Sequence, residues 1–253
     1  MKIISLMYHC VYKDDILESG FINNTALAYK LRASVFENQV ALIADYCIKN
    51  RKPMASVTFT FDDGGISFYN IIAPILEKYG FKGTFFIPTA YIGTKGFLNK
   101  EQIVELYHRG HIIGSHSHTH PENLSELSPK QIDYEWQKSI DLLSTIIGNI
   151  VTVASIPNGF ESKNIIESAK RYGITRLYTS NPTTSYKEVE GVTIIGRYAL
   201  QSNFSNQYVL SILHSKSTRL RIQMRWIILQ IAKEILGKKY IEIHKILFNK
   251  FRI

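Results

Sequence analysis

Thr60-Phe61-Asp62-Asp63-Gly64 closes the apolar run Val57-Thr58-Phe59-Thr60-Phe61, and further along the chain comes His116-Ser117-His118-Thr119-His120. The run reads as a buried strand stopped by glycine. Successive residues of a strand point to opposite sides. Asp62 and Asp63 can therefore serve one pocket only where the strand ends and the chain turns, which Gly64-Gly65 permits. His116 and His120 stand at i and i+4, so a single turn lets both face one point. One carboxylate and two imidazoles make a three-ligand set with open positions, the catalytic rather than the structural type of zinc site. The other carboxylate is left free to act as a base.

Outward from this stretch, strands alternate with helices. Ser34 with Glu37 reads as a capping box opening a helix to about Lys49. After strand 57–61 come a helix over 67–79, a strand over 83–88, a helix opened by Asn99 with Gln102, and strand 111–116. Ser128, with Pro129 at the first helical position and Gln131 at the third, opens a helix to about Ile147. Strand 151–156, helix 162–172, strand 175–180 and strand 192–199 complete the pattern. Strands separated by helices argue a parallel sheet, without separating a barrel from an open sheet. Asp62, Asp63, His116, Pro157 and Ser180 all fall at strand C-terminal ends, where such sheets gather functional groups.

With these residues in place, the chain resembles the polysaccharide deacetylase family, the carbohydrate esterases that share the chitooligosaccharide-deacetylase homology domain. Met7-Tyr8-His9 looks like the family's opening strand. Lys82-Gly83-Thr84-Phe85-Phe86-Ile87 looks like the strand after its first helix, and Gly110-His111-Ile112-Ile113-Gly114-Ser115-His116 like the strand that delivers the histidines. The resemblance, which runs from about residue 3 to about residue 200, implies an α/β fold, a distorted (β/α) barrel with fewer than eight regular strands, placed over residues 1–205; the charge and apolar spacing beyond it read as a basic helical segment over 206–253. It implies that Asp62 is the catalytic base and that Asp63, His116 and His120 bind one divalent metal ion, expected to be zinc. It implies hydrolysis of acetyl groups on N-acetylated glycan, whether polysaccharide, oligosaccharide or lipid-linked sugar. The loop Pro157-Asn158-Gly159 would offer a backbone N–H, that of Asn158, to the oxyanion. His214, in Ile212-Leu213-His214, resembles the family's Leu-x-His segment that supplies a general acid.

The chain departs from the family in its substrate loop. Ser155 and Asn158 stand where an arginine and a tyrosine are usual, so the base lacks its orienting cation. Arg197, in Gly196-Arg197-Tyr198, resembles a late-strand arginine of other branches and is expected to pair with Asp62, because a buried carboxylate needs such a partner. The altered loop also leaves open a non-catalytic metal-containing glycan-binding protein, and an O-acetyl esterase would fit the same residues. His118 lies between the ligands and reads as rim. His9 and His111 sit at strand positions and read as hydrogen-bonded structural histidines, and His108 as helix surface.

Charge is uneven along the chain. Residues 216 to 253 hold ten of the 30 basic residues and two of the 21 acidic ones, so this segment carries +8 of the net +9. Ile222, Trp226, Ile227, Leu229, Ile231, Ile235 and Leu236 spread over a broad helical face within it. Such a helix can lie on an anionic membrane surface or pack its apolar side on the barrel. No nucleic-acid motif accompanies the charge, so no nucleic-acid partner is expected. The short apolar stretch after Lys2 lacks a cleavage-site pattern, and two cysteines are too few for a disulfide scaffold. The expectation is a cytoplasmic protein, at the inner membrane face if the tail binds lipid.

Overall fold

The computed structural model describes residues 3–236, and the chain divides into two units, one ending at His214 and one beginning at Ser215. The first unit is built on a curled sheet of nine strands. In chain order its elements are β1 (Ile4–Tyr8), β2 (Val11–Tyr12), α1 (Asn24–Leu27), β3 (Leu31–Arg32), α2 (Ala33–Lys49), β4 (Val57–Phe61), α3 (Ala73–Lys78), β5 (Gly83–Ile87), α4 (Lys100–His108) and β6 (Ile112–Ser115). There follow α5 (Pro129–Ile147), β7 (Val153–Ser155), α6 (Lys163–Arg171), β8 (Arg176–Tyr178), β9 (Tyr186–Val189), β10 (Val192–Ile195), β11 (Tyr198–Ala199) and α7 (Asn206–His214). Strand order is β11-β1-β4-β5-β6-β7-β8-β10-β9, and β2 pairs with β3 apart from this sheet. All pairs in the large sheet are parallel except β9–β10. The result is a (β/α) half-barrel in which several strands, such as β7, β8 and β11, are only two or three residues long.

Alternation along β4 decides what each face becomes. Phe59 and Phe61 are buried among Tyr8, Phe36, Phe81 and Phe85. Thr60 faces the other way and donates to the carbonyl of Leu6. Each buried aromatic ring contributes on the order of 2–3 kcal/mol. One face of the strand therefore anchors the fold while its end carries polar chemistry.

Two helix starts form as the sequence predicts: Asn99 with Gln102 makes a reciprocal capping box, and at Ser128 the Gln131 Oε1 accepts from both the Ser128 N–H and its hydroxyl. Ser34 with Glu37 does not. That helix begins at Ala33, Arg32 has no side-chain capping bond, and Glu37 pairs with Lys78 instead. The expected strand over 192–199 is two strands broken at Gly196-Arg197. A Cβ on Gly196 would lie 2.3 Å from the Asn181 carbonyl oxygen. That close approach lets the chain leave β8 and β9 and join β1 through β11. The hairpin strand β9 is not apparent from the sequence, since Tyr186–Val189 has three exposed residues and shows no apolar alternation.

The helix α7, placed by sequence with the basic tail, belongs to the first unit, where Val209, Ile212 and Leu213 are buried. The second unit contains α8 (Lys216–Leu236). The tail beyond residue 236 lies outside the described residues. No helix of the described residues is long and apolar enough to cross a membrane.

Candidate active site

Parallel strands bring their C-terminal ends to one edge, and that edge collects Asp62 and Asp63 after β4, His116 after β6, Ser155 at the end of β7 and Arg197 after β10. Asp62 is 4% exposed, Asp63 8%, His116 2% and Arg197 1%. Burying this much charge is costly unless every group is paired.

Arg197 meets Asp62 in a two-pronged contact. Nη1 donates to Oδ1 at 2.6 Å and Nη2 to Oδ2 at 2.8 Å. Its Nε donates to the Thr179 carbonyl, and Nη1 also reaches Thr60 Oγ1. Phe86 and Tyr178 lie under the guanidinium, 5.4 and 5.9 Å from its carbon. This fork geometry suits arginine and not lysine. The Ser155 hydroxyl, where the family has arginine, adds a weaker bond to Asp62 Oδ1 at 3.3 Å. Burial alone would raise the Asp62 carboxyl; the charge of Arg197, then that of His116, outweighs it and holds the pKa below the ordinary value.

Asp63 Oδ1 lies 3.6 Å from His116 Nε2 and 3.4 Å from His120 Nε2. Among the described residues these three form the one cluster able to hold a metal ion, with all ligand atoms within 4.8 Å of one another. Their fit to a metal can be judged from the donor atoms. His116 Nδ1 is 3.1 Å from the Ser155 carbonyl, which only accepts, and 2.6 Å from the Ser155 hydroxyl, whose hydrogen goes to Asp62. Nδ1 therefore carries the hydrogen, and Nε2 turns its lone pair toward Asp63. Ligands at ~2.0–2.1 Å from a tetrahedral zinc stand ~3.3 Å apart, close to the two separations found. Burial would raise the Asp63 carboxyl, yet the two imidazoles that face it, His116 first and then His120, hold it well below its usual range. Burial would lower His120, and the hydrogen bond and charge of Asp63 carry it above its usual value.

The backbone is bent to make this cluster. Asp63, Ser117 and His120 adopt φ of 81°, 61° and 56°, which non-glycine residues rarely occupy. Ser117 Oγ accepts from the His120 N–H. Glu135, buried on α5, accepts from the N–H groups of His118 and Thr119 at 2.8 Å each and from Thr119 Oγ1 at 2.6 Å. One carboxylate thus pins the turn that carries both imidazoles. His118 points away from the cluster and bonds Thr89 Oγ1.

Pro157 is buried in the loop after β7. Asn158 is exposed there with φ of 55°, its amide 3.4 Å from the Pro121 carbonyl. Gly159 follows, donating to the Ile156 carbonyl. His214 is not near these groups. It is exposed at the end of α7 and its ring lies 6.4 Å from Tyr46, toward the end of α2 that precedes β4. The acid role expected of it is therefore withdrawn: an amphipathic turn of helix mimics the local motif at the opposite end of the sheet from Asp62. His111 is a structural histidine, accepting from Gly83 N–H and bonding Glu77.

His9 is the residue that the sequence reading undervalued. It follows β1, whose register sets Tyr8 beside Phe61, so His9 stands next to Asp62. Its Nδ1 is buried without a hydrogen-bond partner. Burial lowers its pKa, against the upward pull of Asp63 and Asp62. The signal available in sequence was position alone, the end of the first strand.

Comparison with known proteins agrees with this geometry. The family model described as polysaccharide deacetylase matches residues 49–177. The Bacillus subtilis protein YxkH, named for the same family, is 32% identical over 153 residues, covering 60% of this chain and 52% of its own. A poly-β-1,6-N-acetyl-D-glucosamine N-deacetylase of Staphylococcus aureus is 30% identical over 147 residues, 49% of this chain and 50% of its own. The chain thus spans about half the length of these curated relatives. In fold it is similar to the Streptococcus pyogenes deacetylase PplD, solved with acetate, at a TM-score of 0.70 and 24% identity, over 85% of this chain and 99% of that one. IcaB from Ammonifex degensii superposes at 0.65 with 18% identity, over 83% and 97%. Strand-end carboxylates, paired histidines, half-barrel and matching sequence model lead to one assignment: this chain belongs to the polysaccharide deacetylase family.

Proposed function

We propose that the chain is a metal-dependent hydrolase that removes acetyl groups from N-acetylated carbohydrate. The observation that carries this reading is the placement of Asp62 directly beside the Asp63–His116–His120 cluster, gripped by Arg197. Asp63, His116 and His120 would hold the ion, with zinc the best fit to one carboxylate and two imidazoles. When bound there, the ion supplies Lewis-acid chemistry, lowering the pKa of water and polarising a carbonyl. Asp62, kept ionised by Arg197, receives the proton of the attacking water. The leaving sugar amine takes back the proton that Asp62 received from water, returned by the same carboxyl, with His9 standing beside it. The N–H of Asn158 is turned by its left-handed backbone and is the proposed oxyanion donor.

A glycan-binding protein that merely retained a metal would have no use for a buried carboxylate bound to a buried arginine. The same groups could cleave an O-acetyl ester, whose attacked carbonyl is alike. Acetate release from chito-oligosaccharides, lipid-linked N-acetylhexosamines and O-acetylated sugars decides between them. The proposal expects release from the N-acetylated compounds. Release only from esters, or from none while oligosaccharides bind, would overturn it.

The second unit adds a proposed place of action. On α8, Leu220, Met224, Ile227, Ile228, Ile231 and Ile235 recur at helical spacing and are 38–77% exposed. Lys216, Arg221 and Arg225 border the stripe on the helix surface. An apolar stripe edged by cations suits peripheral contact with an anionic membrane. The cytoplasmic placement expected from sequence stays with this proposal, supported by two unpaired buried cysteines.

A further inference from the structure

Three aromatic side chains at the rim take no part in the chemistry above. Phe21 lies in the loop before α1, Tyr91 in the turn after β5, and Phe97 a few residues further along. Tyr91 and Phe97 are stacked with centroids 4.9 Å apart, and Phe21 meets both edge-on at 4.8 and 5.1 Å. Phe21 also lies 4.9 Å from the ring of His120. All three are half-buried, and Ile22 beside them is 63% exposed.

Backbone bonds fix this cluster against the site. Gly20 and Ile66 both donate to the Gly96 carbonyl, at 2.8 and 2.9 Å. Leu98 donates to the Gly64 carbonyl at 3.1 Å, and Phe97 bridges to Gly65. Ala90 donates to the His118 carbonyl at 2.9 Å. The loops that carry the three rings are therefore tied to Asp63-Gly64 on one side and to the histidine turn on the other. Rings held this firmly, yet left partly open to water beside a polar site, offer a ready-made apolar surface.

The face of an aromatic ring is apolar and carries partial negative charge. A pyranose has a matching face of C–H groups, with its hydroxyls directed outward from the ring edge. We propose that Phe21, Tyr91 and Phe97 form a platform that stacks a sugar ring adjacent to the one whose acetyl group enters the site, so that this chain selects oligomeric over monomeric glycan. The proposal deepens the deacetylase reading and rests on it for the position of the reacting sugar.

Two readouts on the full chain test it: binding of glucosamine and its tetramer by calorimetry, and acetate release from chito-oligosaccharides of one to six units. In the wild type the tetramer binds more tightly than the monomer. Phe97→Ala weakens tetramer binding and raises the oligomer KM by about tenfold, with kcat changed much less, the pattern of lost ground-state binding. Phe97→Tyr, which keeps the ring, restores both. Tetramer binding equal to that of the monomer, or a Phe97→Ala chain with unchanged length preference, would overturn the platform. Length-dependent binding with no acetate release from any compound would instead sink the deacetylase reading and leave the platform standing.

Discussion

Asp62 and Arg197 are each worth little alone and much together. A buried carboxylate with no cation is destabilising, and a buried guanidinium with no carboxylate equally so. Arg197→Met should therefore lower stability by about 3–5 kcal/mol, read from urea unfolding at neutral pH. A loss below about 1 kcal/mol, typical of exposed pairs, would show that the contact is not the buried fork described. Asp62, Asp63, His116 and His120 were legible in sequence because two short contiguous motifs carry them. Arg197 is legible through its likeness to a late-strand arginine of other branches of the family, together with the cation that Ser155 leaves missing beside the base. His9 escaped because a histidine after a strand reads the same whether it packs or reacts. His214 misled because three residues of amphipathic helix reproduce the acid's local pattern.

Helices and strands at the edge of the sheet opposite the site are tied by polar contacts that respond to acid. Glu77 on α3 receives Arg109 from beyond α4 and the ring of His111 before β6. Burial lowers His111 from 6.5 to about 4, only partly offset by Glu77. Its hydrogen bond with Arg109 is the main cause that lowers Glu77 from 4.5 to about 2. As pH falls below 6.5, the unfolded chain binds a proton at residue 111 before the folded one does. Stability is lost from there until about 4, on the order of 3 kcal/mol for this group. Glu77 acts in the same direction: its contribution is present above 4.5 and fades as pH falls toward 2. Urea midpoints between pH 7 and pH 4 should fall in the wild type and flatten in His111→Gln; equal slopes would refute the assignment. At this scale the capping pairs of α4 and α5 were legible because both partners lie within one turn. The break at Gly196 was not, since it depends on the Asn181 carbonyl, which is close only in the folded chain.

At the scale of the whole molecule, the half-barrel followed from alternating strands and helices, with the resemblance choosing barrel over open sheet. The reach of the basic segment did not, because an amphipathic turn that packs, such as α7, and one that stays exposed, such as α8, share the same apolar spacing. If α8 meets lipid, the full chain should co-sediment with anionic vesicles, less so with added salt, and Ile227→Asp with Ile231→Asp should abolish it. Equal binding to neutral vesicles, or no binding, would leave the charge to solubility. The central claim concerns the division of labour between neighbouring carboxylates: Asp63 holds metal and Asp62 moves protons. Metal content per chain, measured beside acetate release in wild type, Asp62→Asn and Asp63→Asn, tests it most directly. The account predicts about one ion in the wild type and in Asp62→Asn, little in Asp63→Asn, and release reduced by about a hundredfold or more in both variants. An Asp62→Asn chain without metal beside an Asp63→Asn chain that keeps it would contradict the account.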